Sequence, residues 1–165
     1  VVEKIKDGKP TAVGAASGIV AGLVAITPAC ANLTPIWAIV LGIVAGAACC
    51  FAIDLKYKLG YDDSLDVVGL HLVAGIIGTL YLGFFATTFD AEAGTWTDTG
   101  FFLGGGIDQL LTQIVPVVAV LVYSFVVAFI LGKVIDLVMG FRVTEDEEIA
   151  GVDNVLHGGG AYKFD

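Results

Sequence analysis

A single imidazole stands in the stretch YDDSLDVVGLHLVAGIIGTL, residues 61–80, where Asp62, Asp63 and Asp66 come shortly before His71. A neutral imidazole can both donate and accept hydrogen bonds, and it titrates close to physiological pH. Its chemistry therefore suits contact with a small polar solute, or the relay of a proton. Leu70, Leu72 and Val73 make its surroundings apolar. An ionisable group in such surroundings is costly, and it faces an internal cavity or pathway unless it is a core histidine tied to a backbone carbonyl. The carboxylates have a simpler role available, because acidic residues stabilise a helix N-terminus through its free N–H groups and its dipole. Asp66 is best placed as an internal cap or anchor, with Asp63 supporting the same helix start. On a helix, Asp63, Val67, His71, Gly75 and Gly78 share one face by their i+4 and i+3 spacing. Two classes stay open at this point, a conduction pathway and a purely structural membrane bundle.

Little else in the chain carries chemistry. Cys30, Cys49 and Cys50 lie in apolar segments without zinc-site or CxxC spacing, so they read as small buried hydrophobes. The glycine runs at 104–106 and 158–160 lack the Lys and Ser/Thr of a phosphate loop and read as connections. No nucleophile is paired with a base, so the chain is not expected to be an enzyme, and no metal or cofactor is expected. A net charge of −9 argues against a nucleic-acid partner.

The elements that must position His71 are written in the hydropathy. Of the 165 residues 57% are hydrophobic and 15% charged, with a mean hydropathy of +0.90; a soluble domain runs near ~25% charged. Residues 10–53 hold no Asp, Glu, Lys, Arg or His across 44 positions, about 66 Å as helix where one crossing of the hydrocarbon takes about 30 Å. Two spans follow, at about 11–31 and 35–55, divided at Pro28, Asn32 and Pro35. Further runs give a third span at about 67–88 and a fourth at about 110–139. The expected organisation is a lead-in over residues 1–10, four transmembrane helices over 11–139 and a tail over 140–165. The fold class is all-α, a polytopic membrane protein. Lys4, Lys6, Lys9, Lys56, Lys58, Lys133, Arg142 and Lys163 all fall on one side of this arrangement. The positive-inside rule makes that side cytoplasmic, with both ends of the chain there and the acidic 89–109 connection outside. The chain opens on Val1 rather than Met, without a cleavable signal pattern, and reads as a piece of something longer.

The small residues predict how the spans meet. Gly14, Gly18 and Gly22 form a double GxxxG in span one, Gly42 and Gly46 repeat the spacing in span two, and Gly75 and Gly78 follow in span three. Between lipid-embedded helices, close backbone approach across small residues supplies the packing, so spans one to three are expected to form a tight bundle along these glycines. Span four is long, rich in Val and Leu and poor in Gly, which predicts a lipid-facing strut. Lys133 and Asp136 can pair on it as helical neighbours.

Three ordered blocks resemble the C-terminal part of the ammonium transporter family (Amt, related to the Rh proteins). They are GKPTAVGAASGIVAGLVAITPACA at 8–31, DDSLDVVGLHLVAGIIGTLYLGFFA at 62–86 and FRVTEDEEIAGVDNVLHGGGAY at 141–162. The resemblance implies a fragment, about helices eight to eleven, of an eleven-helix inverted-repeat channel. It implies transport of ammonium or ammonia through a narrow hydrophobic pore in the plasma membrane, and a homotrimer for the full-length protein. His71 matches the second of the family's twin pore histidines in the motif DVVGLH, with Val67 beside it on the conduction path. Asp66 matches the motif aspartate, which with Asp63 supports the pore helix. The first histidine and the outer ammonium-binding aromatics belong to helices not present in these residues. In the tail, Gly151, Asp153 and His157 match positions that dock on neighbouring subunits and respond to PII-type signalling proteins. Val155 stands where plant relatives carry a phosphorylatable Thr, and Leu72 and Ala74 stand where many members carry Gly. The alternatives are an ammonium-sensing regulatory membrane module and a purely structural helix bundle.

Overall fold

A computed structural model describes residues 1–157; the 158–160 glycine run, Lys163 and the end of the tail lie outside the described residues. The chain forms two compact units, one over Val1–Ala119 and the other from Val120 onward.

The first unit is built on three long helices. After a short α1 (Val2–Asp7), α2 spans Ala12–Ala29 and α3 spans Pro35–Ala52. Thr11 starts α2 by accepting a hydrogen bond from the Gly14 amide at 2.9 Å, which satisfies one of the free donors of a helix start. Pro28 lies inside the last turn of α2. The chain reverses at residues 30–34, where Ala31 takes φ 67, and Pro35 opens α3 at a position where its missing N–H costs nothing. A short α4 (Leu55–Leu59) ends on Gly60 at φ 71. A single π-helical turn, Val68–Leu72, then runs directly into α5 (Val73–Phe85).

These helices are antiparallel neighbours. Cys49 near the end of α3 bonds the Leu70 carbonyl at the start of the third helix, and the Thr87 amide beyond α5 bonds the Asn32 carbonyl in the α2–α3 turn. Their seam is made of alanine more than glycine. Ala21, Ala25 and Ala29 on α2 are fully buried, and they meet Leu41, Ala45 and Cys49 on α3 and Ala74 and Gly78 on α5. Gly78 is required there, because a Cβ would run into the Ala25 backbone carbonyl. The expected packing along the GxxxG glycines is not what holds this seam. Gly18, Gly22, Gly42, Gly46 and Gly75 have nothing within 4 Å of where a Cβ would stand, and Gly14 faces the Glu3 carboxylate. A GxxxG pattern guarantees a close approach only for a helix that lies against it, and the three helices here turn their alanines to one another instead.

At the end of the bundle where α3 begins and α5 ends, aromatic rings close the packing. Phe85 stacks on Trp37 at 4.3 Å between centroids and lies 4.5 Å from Tyr81 and 5.4 Å from Phe102. Beyond it a two-stranded antiparallel hairpin pairs β1 (Thr87–Asp90) with β2 (Thr95–Asp98), in a register that places Thr87 opposite Asp98. The Asp90 carboxylate accepts the Glu92 and Ala93 amides at 2.9 and 3.1 Å, and Gly94 at φ 65 completes the turn. The hairpin is an addition to the helical architecture.

α6 covers Asp108–Met139, 32 residues with no buried side chain, and crosses the boundary between the units. In the second unit it is followed by two short helices, α7 (Glu145–Ala150) and α8 (Val152–Leu156). Among the described residues, four helical segments are long and apolar enough to cross a membrane: Ala12–Ala29, Pro35–Leu59, Val68–Phe85 and Asp108–Met139. The first unit is thus a membrane bundle that carries a π-turn at the start of its third helix.

Candidate functional site

The site is built where the third helix begins. Asp63 lies in the turn before it, and its two carboxylate oxygens accept the Val67 and Val68 amides at 2.8 and 2.9 Å. One side chain so satisfies two of the free N–H groups of the helix start. Asp66 plays a different part. Its carboxylate takes the Lys56 ammonium at 2.6 Å, and its own backbone stands at φ 57, in the left-handed region. Lys56 also donates to the Asp63 carbonyl at 2.9 Å. The Asp66 carbonyl accepts the Leu70 amide at 2.8 Å, which makes it the first rung of the helix.

From that rung the chain takes its π-turn. The Val73 amide reaches back to the carbonyls of Val68 and Leu70. The turn is pinned from α3 on its buried side. Gly69 lies so close to Ile53 that a Cβ would come within 2.8 Å of the Ile53 Cα, and the Cys49 thiol donates to the Leu70 carbonyl at 3.8 Å. Gly69 and Leu70 are therefore buried, while Val67, His71 and Leu72 are exposed. Among the described residues no group bonds the His71 ring, so it is not a core histidine tied to a carbonyl.

The face reading holds only in part. Val67 and His71 do stand on one exposed side, and Gly75 has open space beside it, but Gly78 is turned inward against Ala25. A π-turn closes i→i+5 rather than i→i+4. It takes up one residue more than an α-turn, so side chains before it and after it no longer follow one stripe. The residues present do not wall a channel around the ring. A cavity of about 190 Å³ opens beside Lys6, Asp54, Thr11 and Cys50, and His71 does not line it. There Lys6 pairs with Asp54 at 2.6 Å, which raises the ammonium pKa above its usual value. Glu3 takes the Thr11 hydroxyl and amide at 2.6 and 2.9 Å, and those bonds lower its carboxyl pKa.

The tail residues lie in the second unit. Thr144 and Glu147 form a capping box at the start of α7, in which the Thr144 amide donates to the Glu147 carboxylate at 2.9 Å. Arg142 pairs with Glu148 at 3.2 Å. Gly151, at φ 91, joins α7 to α8, a backbone conformation that favours glycine. Asp153 and His157 face each other across one turn, Oδ1 to Nδ1 at 3.1 Å. Gly151, Asp153 and His157 thus share one short stretch of the second unit, with Asp153 and His157 exposed.

Sequence reasoning missed two side chains at the site. From the sequence Lys56 reads as a flanking positive charge and Cys49 as a small buried hydrophobe. Only the turn at Gly60, which brings Lys56 back toward Asp63 and Asp66, offered a sequence signal for the first.

Four apolar helices, one of them opened by a carboxylate cap and bearing an unpaired imidazole on an uncovered side, define a multi-pass α-helical membrane protein. The family is then given by similarity. A model described as the Ammonium Transporter Family matches residues 1–162, and the chain belongs to that family. Proteins named ammonium transporter from Mycobacterium tuberculosis and Bacillus subtilis are each 44% identical to it over 99% of the chain. The crystal structure of Saccharomyces cerevisiae Mep2 superposes with a TM-score of 0.77 at 34% identity, over 88% of this chain. The chain spans 35% and 40% of the length of those two curated relatives and 33% of the Mep2 chain.

Proposed function

We propose that these residues form the C-terminal part of an ammonium transporter, in which His71 lines a narrow apolar pore that conducts ammonium or ammonia. The observation that carries this reading is the state of the ring. His71 stands on a membrane helix with both nitrogens free of protein partners, on a side that the other described helices leave uncovered. A polar group at membrane depth faces a cavity or pathway rather than lipid, and a permeating solute together with a facing imidazole would give the ring its partners. The physical demand on such a pore is desolvation, since an ammonium ion stripped of water in an apolar medium loses far more than a neutral amine does. An apolar conduit therefore passes the neutral form, with the proton given up at the entrance or carried separately. Imidazoles along the path bond the solute without fixing a charge there.

In this reading Val67 shapes the conduit beside His71, while Asp63 and Asp66 hold the helix that presents the ring. The four spans, at about 11–31, 35–55, 67–88 and 110–139, belong to an eleven-helix inverted repeat, with residues 1–10 as a lead-in and 140–165 as the tail. The protein resides in the plasma membrane as a homotrimer with both ends of this chain cytoplasmic. Support for that orientation comes from the lysines gathered at one end of the bundle. Gly151, Asp153 and His157 serve docking of the tail on the cytoplasmic face, where a PII-type signalling protein is the regulatory partner.

The deciding experiment is uptake of labelled methylammonium by cells that carry the full-length protein as their sole transporter. His71→Ala is expected to lower uptake by about tenfold or more at equal protein in the membrane. Uptake at the unmodified rate would overturn the pore role.

A further inference from the structure

The start of the third helix is held by one cation. Lys56 reaches the Asp66 carboxylate at 2.6 Å and the Asp63 carbonyl at 2.9 Å, with its own side chain only 14% exposed and that of Asp66 23% exposed. The two contacts bracket the turn from Asp63 to Asp66. Within that turn Asp66 is held at φ 57, which an L-residue seldom adopts without support. The next link is the Leu70 amide on the Asp66 carbonyl, and the residue after Leu70 is His71.

We infer that Lys56 is a positioning residue for His71: by gripping Asp66 and the Asp63 carbonyl it fixes the turn that launches the π-helical segment, and so sets the direction in which the imidazole points. The inference rests on the pore reading of His71 and adds the device that aims the ring. The geometry explains why aiming is needed. The far side of the segment is already fixed, with Gly69 against Ile53 and Leu70 against the Cys49 thiol. If Asp66 relaxes to an ordinary backbone conformation, the first rung moves by a residue. The π-turn then closes as an α-turn, and side chains on it rotate by about 100° per residue of slip. Gly69 and Leu70 leave their contacts or His71 leaves its face. Lys56 holds both conditions together because its two acceptors lie at either end of the turn.

The test compares Lys56→Met, Lys56→Arg and Asp66→Asn in the full-length protein. It reads methylammonium uptake per molecule in the membrane, resolved into maximal rate and half-saturation, together with the ring resonances of 15N-labelled His71. Lys56→Met should lower the maximal rate by about tenfold and leave half-saturation within about twofold, because entry of solute is untouched. The His71 resonances should shift with it. Lys56→Arg keeps donors for both acceptors and should restore at least about half the rate and the resonances. Asp66→Asn keeps the shape and removes the charge, so it should reproduce the Met phenotype even where Lys56→Met does not reach the membrane. An unaltered rate per molecule, or unmoved His71 resonances, in Lys56→Met or in Asp66→Asn overturns the inference. Failure of the pore reading itself shows elsewhere, as normal uptake by His71→Ala with Lys56 intact. In that case the resonances alone decide, a shift in Lys56→Met supporting the positioning of the ring and unmoved resonances overturning it.

Discussion

The α2–α5 seam and α6 are both apolar enough for a membrane, yet their residues meet opposite surroundings. α6 is the most apolar of the four membrane-length helices and buries no residue, while the less apolar α2 and α5 bury Ala21, Ala25, Ala29, Ala74 and Gly78 completely or nearly so. In water the order would be reversed, with the greasiest segment innermost. In a bilayer, lipid tails are as apolar as leucine, so hydrophobicity decides entry into the membrane and side-chain size decides what the helix touches there. Val and Leu around α6 suit lipid, and alanines at fourfold spacing on α2 suit another backbone.

This contrast can be broken by substitution. The largest effect is expected from Ala25→Leu, which places a branched side chain where Gly78 meets the α2 backbone. It should lower the thermal stability of the detergent-purified protein by about 1–3 kcal/mol, or prevent assembly, as overpacking does. The matched change on α6, Val122→Leu, enlarges an exposed side chain and should stay within about 0.5 kcal/mol. Equal effects at the two sites would mean that size does not separate the regions. The smallest effect belongs to the polar tail. The bonds from Thr144 lower the Glu147 pKa from an ordinary 4.5. A lowered carboxyl pKa contributes stability above the ordinary value that disappears as pH falls through the lowered one. Protection of the α7 amides, corrected for their intrinsic exchange, should therefore fall as the pH drops below 4.5, and Thr144→Ala, which takes away the hydroxyl bond but keeps the amide bond, should weaken that pH response while uptake at neutral pH is unchanged.

The same distinction explains what could be read in advance. Four membrane-length helices were legible because 44 residues without a charge admit little else, and because the division at Pro28, Asn32 and Pro35 is local chemistry. Which small residues face one another was not legible. Glycine and alanine both permit close approach, and the choice between Gly18 and Ala21 as the contact depends on a neighbour that the local pattern does not contain. The π-turn escaped for a related reason: VVGLHL has no feature that separates an i+4 from an i+5 closure. At the site, the imidazole and its carboxylates stood out by type. Their division of labour, with Asp63 capping and Asp66 pairing with Lys56, needed coordinates, because it depends on how the chain folds back at Gly60. The hairpin at 87–98 did leave signs, in Thr87, Thr95 and Thr97 around Asp90 and Gly94, but a short ribbon between two apolar runs is easily taken as loop.

The unequal exposure of the three thiols gives the molecule a native orientation marker. Cys30 is exposed at the end of α2 remote from Lys6 and Lys56, whereas Cys49 is sealed against Leu70. A membrane-impermeant maleimide added to intact cells should tag Cys30 alone if the basic end lies inside. Labelling only after the cells are opened would turn the molecule the other way up.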